Sequence, residues 1–454
     1  MKRSASLRTF YILILTQVLS LIGSRMTSLA IGIKVFSDTN QATPLALTAF
    51  FSTLPSLLSA SIAGVFADRW NRRYMMIIAD IGQAAGTLIL LVSFVTGTFE
   101  LWLLYLVAFI QAFFGTFQSP AFDASITMLV PDEHRDRANA IQQLTGPASG
   151  IVAPVLAGLL FTVVGVTGVM AIDLATFAVA VLVVLVIDIP HPQQTEEGRA
   201  MRTNVWRDAL TGFRYLRSRQ TLFSVALYVA LVNFLLGGTF VLNTPYILTI
   251  TGSETALGTL LGVMSAGSIV GGGIMSAWGG TRPRIHTIMP GIAVAGACLA
   301  LYGMGRSPLA LGATLFLLML PLPMVNAAFM SIMQAKVPPD LQGRVFAAMS
   351  QISIGLMPIA LALVGPLADR VFEPAVGGPR WDLVAPLVGS QPGAGMGLML
   401  LVAGSLIALL TVVVYSRRSV RQMEATLPDY VAVAQGADLP PLGEDVPAQL
   451  AGAG

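Results

Sequence analysis

Polar residues interrupt this chain only at intervals. Between them lie runs of about twenty apolar residues, showing neither the alternation of a half-buried strand nor the single stripe of a surface helix. Twelve runs can be counted: Phe10–Ile33, Leu45–Phe66, Tyr74–Val95, Leu101–Phe122, Ala138–Val163, Val166–Ile187, Leu222–Leu248, Ala256–Trp278, Ile288–Gly305, Leu309–Met333, Val345–Leu367 and Gly395–Tyr415. Twenty helical residues rise about 30 Å, the thickness of a bilayer's hydrocarbon layer, so each run predicts a membrane-crossing helix. The first follows Lys2, Arg3 and Arg8 but is longer than the apolar stretch of a signal peptide, and it is read as a retained span.

Composition narrows the function. Only 11% of the 454 residues are charged and 55% are hydrophobic, against about 25% charged in average soluble domains. The single cysteine, Cys298, excludes a disulfide framework and a thiolate metal cage. None of the three lysines follows a glycine as an ATP phosphate cradle requires, and the three histidines sit in polar loops outside any HExxH. No paired acids, nucleophile with its base or metal cluster falls at one depth, so the chain reads as neither an enzyme nor a cofactor binder. Its net charge of +3 comes from short basic clusters beside the apolar runs. That placement fits a lipid bilayer rather than nucleic acid.

The same clusters set orientation. With a cytoplasmic N-terminus, twenty-one basic residues fall in inside segments and four outside: Lys34, Arg306, Arg370 and Arg380. Both termini are therefore expected in the cytoplasm of a multi-pass cell-membrane protein. The long polar break between the sixth and seventh runs divides the chain into a six-helix bundle at 1–189, a linker at 190–221, a second bundle at 222–416 and a tail at 417–454. A weak internal repeat supports two related halves: Val130-Pro131 and Arg137 recur as Val337-Pro338 and Arg344. Within the linker, Trp206, Leu210, Phe213 and Leu216 predict an amphipathic helix at the headgroups. Beyond Arg421 the acidic, Pro- and Gly-containing tail predicts disorder.

The loop after the second run reads Gly64-Val-Phe-Ala-Asp68-Arg69-Trp-Asn71-Arg72-Arg73, which resembles the GxLaDRxGRR signature of the major facilitator superfamily. The resemblance implies an all-α membrane fold of twelve transmembrane helices in two pseudo-symmetric bundles. It also implies a cytoplasmic latch in which Asp68 meets the positive N-terminus of the eleventh span near Gly343, with Arg72 and Arg73 as basic partners. Asn71 stands where the family has glycine, and asparagine there is expected to keep a left-handed turn. Two further stretches, Ser119-Pro120-Ala121-Phe122-Asp123 and Val337 to Ala347, resemble the drug/proton antiporter branch that includes macrolide and siderophore exporters. The fifth span carries that branch's small-residue pattern in altered form, with Ser149, Ala153, Pro154, Ala157 and Gly158, and should still pack closely.

Charges at bilayer depth cost ~2.5 kcal/mol or more. Arg25 and Asp173 lie about 12 Å and about 10 Å from the outer ends of the first and sixth spans at 1.5 Å per residue. This match suggests an ion pair, which could be structural, a protonation switch or absent. Asp80 and Asp123, nearer the inner side, are expected to pair with Arg72, Arg73 or Arg137. The resemblance places spans one, four, seven and ten around a central cavity, where Gln17, Gln111, Phe114, Gln118, Asn233, Phe240, Asn243, Asn326 and Met330 are the polar, aromatic and thioether candidates. Such a lining suits a bulky, largely apolar or weakly cationic small molecule. The expectation is a monomeric exporter coupled to protons, with uptake of a small metabolite as the alternative.

Overall fold

The computed structural model describes residues 7–187, 213–338, 341–422 and 424, without the side chains of 60–69 and a few scattered positions. Among the described residues there is no strand. The first half comprises α1 (Leu7–Thr39), α2 (Thr43–Arg69), α3 (Arg72–Thr96), α4 (Leu101–Leu129) and α5 (Arg135–Val186). Helix α5 is 52 residues long and breaks at Gly165, where φ is 66° and ψ is −176°. That backbone region is open chiefly to glycine, and it separates the fifth apolar run from the sixth.

The second half comprises α6 (Gln220–Val241), α7 (Asn243–Thr251), α8 (Glu254–Trp278), α9 (Ile285–Gly303), α10 (Pro308–Met319), α11 (Pro321–Lys336), α12 (Gln342–Gly355), α13 (Met357–Leu367) and α14 (Ala394–Ser416). Three apolar runs are interrupted here, at Leu242, Leu320 and Leu356. Each break precedes a proline (Pro245, Pro321 and Pro358), whose missing N–H and ring end the preceding hydrogen-bond ladder. Other helix starts are set by caps: Ser253 Oγ accepts from Ala256 N at 3.2 Å and Ser307 Oγ from Ala310 N at 3.3 Å.

Ten helical stretches among the described residues are long and apolar enough to cross a membrane. Dividing the stretch Arg137–Val186 at Gly165, and adding α2 with its apolar start Thr43–Ser59, gives the twelve-span reading. Large apolar side chains such as Leu88, Val95, Val163, Leu182 and Leu409 are exposed on the outside of the bundle, as a lipid-facing surface requires. Of the predicted linker helix, residues 206–212 lie outside the described residues. Residues 213–218 are helical, with Leu216 buried and Arg214 and Arg217 exposed. The predicted tail lies mostly outside the described residues, but Glu424 is seated: its carboxylate accepts from Ile285 N at 3.1 Å.

Packing distinguishes the two ends of the molecule. Phe10, Ile14, Val130 and Ala138 form one cluster, and Leu13, Met75, Met76, Leu129 and Val184 another. They gather the starts of α1, α3 and α5 with the ends of α4 and α5. This is the basic end, carrying Arg72, Arg73, Arg135 and Arg137. At the opposite end the core of the second half takes in Ile33, Ala42 and Ala46 from the first.

Candidate functional site

Among the described residues, the contacts between the two halves gather toward that opposite end. Gly158 of α5 and Gly258 of α8 come so close that a Cβ on Gly158 would lie 2.6 Å from the Glu254 carbonyl oxygen and 3.3 Å from the Gly258 Cα. Ser149, Ala153 and Ala157 are buried along α5, so the altered small-residue pattern packs as expected. Farther along the seam Ser265 Oγ donates to the Gly150 carbonyl at 2.7 Å. Beyond it the seam opens: a Cβ on Gly146, Gly272 or Gly273 would meet nothing within 4 Å.

A second contact closes the same end. Asp369 lies in the π turn Ala368–Phe372 that extends α13. Its carboxylate accepts from Ala42 N at 2.8 Å, Thr43 N at 2.7 Å and Thr43 Oγ1 at 2.5 Å. These backbone donors belong to the start of α2, where N–H groups lack intrahelical partners and the dipole is positive. Sequence reasoning passed over Asp369, yet a signal was present. Gly365-Pro-Leu-Ala-Asp369-Arg370 repeats the Gly-x-x-Ala-Asp-Arg pattern of Gly64-Val-Phe-Ala-Asp68-Arg69. The side chains of Gly64, Asp68 and Arg69 lie outside the described residues.

Between the closed end and the opening lies a cavity of about 730 Å³ bordered by Arg25, Gln111, Asp173, Phe240, Met264 and Ser265. Arg25 and Asp173 are its charged lining residues. The expected direct ion pair between them is not formed. Ser24 Oγ donates to Asp173 Oδ1 at 3.2 Å and Thr87 Oγ1 to Oδ2 at 3.2 Å, while Arg25 Nη1 donates to the Gly146 carbonyl at 3.0 Å. Depth was matched, but successive helical residues point about 100° apart. Ser24 therefore faces Asp173 and Arg25 faces the seam.

A second cavity, of about 500 Å³, lies nearer the basic end and is bordered by Gln17, Gln118, Asp123 and Gln142. Here the expected acid–arginine pairs are corrected. Gln118 Nε2 donates to Asp80 Oδ1, and Gln142 Nε2 to Asp123 Oδ1. Asp80 is fully buried, and the Gln118 amide serves one of its two carboxylate oxygens without adding a second buried charge. Arg73 instead donates Nε to the Val184 carbonyl at 3.0 Å and Nη2 to that of Leu185. It thus caps the negative end of α5. Asn71 does not form a left-handed turn: at φ −64° and ψ 112° it is the extended N-cap of α3, accepting from Arg73 N at 3.0 Å.

The remaining candidates divide. Gln17, Gln111, Gln118 and Phe240 border a cavity. Asn243 is buried beside Met264, its Nδ2 3.8 Å from the sulfur, and Asn233 joins helices by donating to the Ser353 carbonyl at 3.2 Å. Phe114 packs on Gly82 of α3. Asn326 and Met330 border neither of these cavities. Gln83, Thr87 and Ser24, which sequence reasoning did not select, line the larger cavity with the two charges.

Bilayer-length helices, an apolar exterior and a cavity between two halves closed at one end define a membrane transport protein. The chain belongs to the Major Facilitator Superfamily, which it matches over residues 13–362. It is 28% identical over 375 residues to macrolide efflux protein A of Streptococcus pyogenes, covering 80% of this chain and 90% of that one. It is 25% identical over 371 residues to the multidrug efflux pump Tap of Mycolicibacterium fortuitum, covering 76% and 86%. A solved bacterial homolog of the human lysosomal transporter Spinster, in an inward-facing and unoccupied conformation, superposes with a TM-score of 0.67 at 14% identity. That match covers 91% of this chain and 98% of the other.

Proposed function

We propose that this protein is a secondary active exporter of amphipathic small molecules, working by alternating access with proton antiport. One observation carries the reading: the cavity of about 730 Å³ is closed at one end by Asp369–Thr43 and Gly158–Gly258, while toward the basic end a Cβ on Gly146, Gly272 or Gly273 would meet nothing within 4 Å. A lining with one acid and one base among Phe240, Met264, Leu261 and Val241 suits a bulky, weakly polar cargo. The efflux proteins named above support the export direction.

In this reading the basic end is cytoplasmic, by the excess of arginine there, and both termini lie on that side of the cell membrane. The halves 1–189 and 222–416 rock as units in a monomer, joined by 190–221 and followed by the tail at 417–454. The cavity faces the cytoplasm here. When it turns outward, Asp68 engages the start of α12 as Asp369 engages the start of α2 in this state. Asp173 carries the coupling proton, and Arg25, which faces the seam beside Gly150 and Ser265 in this state, becomes its partner by a change of side-chain rotamer when the seam opens.

Ethidium efflux from cells overproducing the protein tests this. Extrusion abolished by a protonophore is expected. Ethidium retained as in control cells, or moving inward down the proton gradient, overturns the export reading.

A further inference from the structure

Two buried acids of the first half each end a set of hydrogen bonds in the wall between the two cavities, and the two sets meet at Gln83, one on its side chain and the other on its backbone carbonyl. Gln83 Nε2 donates to Gln118 Oε1 at 2.6 Å, and Gln118 Nε2 donates in turn to Asp80 and, at 3.1 Å, to Gln17 Oε1. In the other direction Gln111 Nε2 donates to the Gln83 backbone carbonyl at 2.9 Å and to Thr87 Oγ1 at 3.1 Å, and Thr87 donates to Asp173. Each arm points its donors at a carboxylate. Bonds within each arm polarise one another, so each arm strengthens or weakens with the charge on its carboxylate.

Asp80 is the less satisfied end. Its side chain is fully buried, and Oδ2 meets no donor at bonding geometry. From α1 it faces Gln17, and from α4 Gln118. The described titratable and charged groups of the helices packed on α3 are Arg8, Tyr11, Arg25, Lys34 and Asp38 on α1, Tyr105 and Asp123 on α4, and Arg135, Arg137 and Asp173 on α5. Arg72, Arg73 and Tyr74 start α3 itself. None of them forms an ion pair with Asp80. A carboxyl enclosed without a cation needs a proton or a cationic partner for one of its oxygens. Gln17 and Gln118, which cover it, border the cavity of about 500 Å³. A proton thus has a short route in from the basic end.

We propose that Asp80 is a second proton-binding carboxyl, loaded from the smaller cavity past Gln17 and Gln118 and coupled to Asp173 through Gln83, Gln111 and Thr87. A proton arriving at Asp80 seats on Oδ2 and leaves Oδ1 accepting from Gln118 as a neutral carbonyl, a weaker acceptor than a carboxylate. The Gln118–Gln83 arm loosens, and with it the turn of α3 whose Gln83 backbone carbonyl receives Gln111, the residue that also donates to Thr87. This deepens the antiport reading by dividing proton binding between two sites of different access.

The test is infrared difference spectroscopy of the purified protein between acid and alkaline buffer, followed by ethidium flux in proteoliposomes. Wild type is expected to show two carboxylic-acid C=O contributions, Asp80→Asn one fewer, and Asp173→Asn the other one fewer. In liposomes Asp80→Asn is expected to keep ethidium binding and to lose about 10-fold in gradient-driven flux. An Asp80→Asn spectrum and flux identical to wild type overturn the proposal. Wild-type flux indifferent to the pH gradient overturns the antiport reading instead, while the infrared bands still decide Asp80. If Asp80→Asn does not accumulate, Gln118→Leu serves: it keeps the carboxyl but removes its donor, and an unmoved titration midpoint of the Asp80 band overturns the proposal.

Discussion

Asp369 and Thr43, 326 residues apart in sequence, bind the two halves of the protein through the Thr43 amide and hydroxyl. With the added bond from Ala42 N, one carboxylate satisfies two unpaired donors at the start of α2 and sits on its positive dipole. Charge-assisted bonds of this kind contribute about 1.5–3 kcal/mol. Gly365, one turn earlier, allows the approach, since a Cβ there would lie 2.5 Å from the Thr43 Cα.

Asp369→Ala is therefore expected to loosen the closed end and shift the conformational balance about 10-fold or more. The protein's one cysteine, Cys298, is buried, so accessibility can be read at an introduced site. With Thr48→Cys on the wall of the larger cavity, labelling by an impermeant thiol reagent from the outer side should rise on Asp369→Ala. Unchanged labelling would remove Asp369 from any gating role.

The Gly158–Gly258 crossing makes a steric prediction. Gly158→Leu places a side chain against the Glu254 carbonyl, which is backbone and cannot step aside. The variant should reach the membrane yet fail to close at this end, lowering ethidium efflux by about an order of magnitude, since overpacking a close contact costs ~1–3 kcal/mol. Efflux at the wild-type rate would show that the halves close elsewhere.

Asp173→Asn removes the acid of the larger cavity while keeping acceptor and donor capacity for Ser24 and Thr87. The pH dependence of ethidium flux should flatten, with binding of ethidium itself retained. A pH profile matching wild type would exclude Asp173 as the coupling site.

Stability away from the cavity should depend on Tyr246. Its buried hydroxyl lies 2.9 Å from the Gly303 carbonyl, 3.1 Å from that of Gly305 and 3.3 Å from that of Tyr302, serving the unpaired end of α9. Tyr246→Phe is expected to cost about 1–3 kcal/mol, the penalty for leaving such carbonyls without a donor. Thermal unfolding in detergent would register it, with ethidium efflux per folded molecule unchanged. An unaltered melting temperature would contradict this.

The spans were legible because a bilayer leaves a helix no alternative: apolar runs of fixed length must appear in the sequence. The Gly165 break falls in the gap between two such runs, and the prolines near Leu242, Leu320 and Leu356 mark the interruptions. Site geometry was less legible. Depth along a helix can be counted, which placed Arg25 and Asp173 on one cavity, but the direction a side chain faces turns by about 100° per residue. That angle decides whether Arg25 or Ser24 meets Asp173. Asp80 was read as an arginine partner from its nearness to the basic loop, whereas its partners come from α1 and α4 across the bundle. Asp369 was marked in the sequence by its repeat of the Gly64–Arg69 pattern, but its partners at the start of α2 show only once the halves are folded together.

The central claim is that the halves alternate about one cavity and that protons drive the turn. Ethidium accumulation in proteoliposomes of purified protein, with an imposed pH gradient, measures this most directly. The account predicts uphill ethidium movement opposite to proton flow, abolished by a protonophore. Movement that only equilibrates ethidium, at the same rate with and without the gradient, would contradict it.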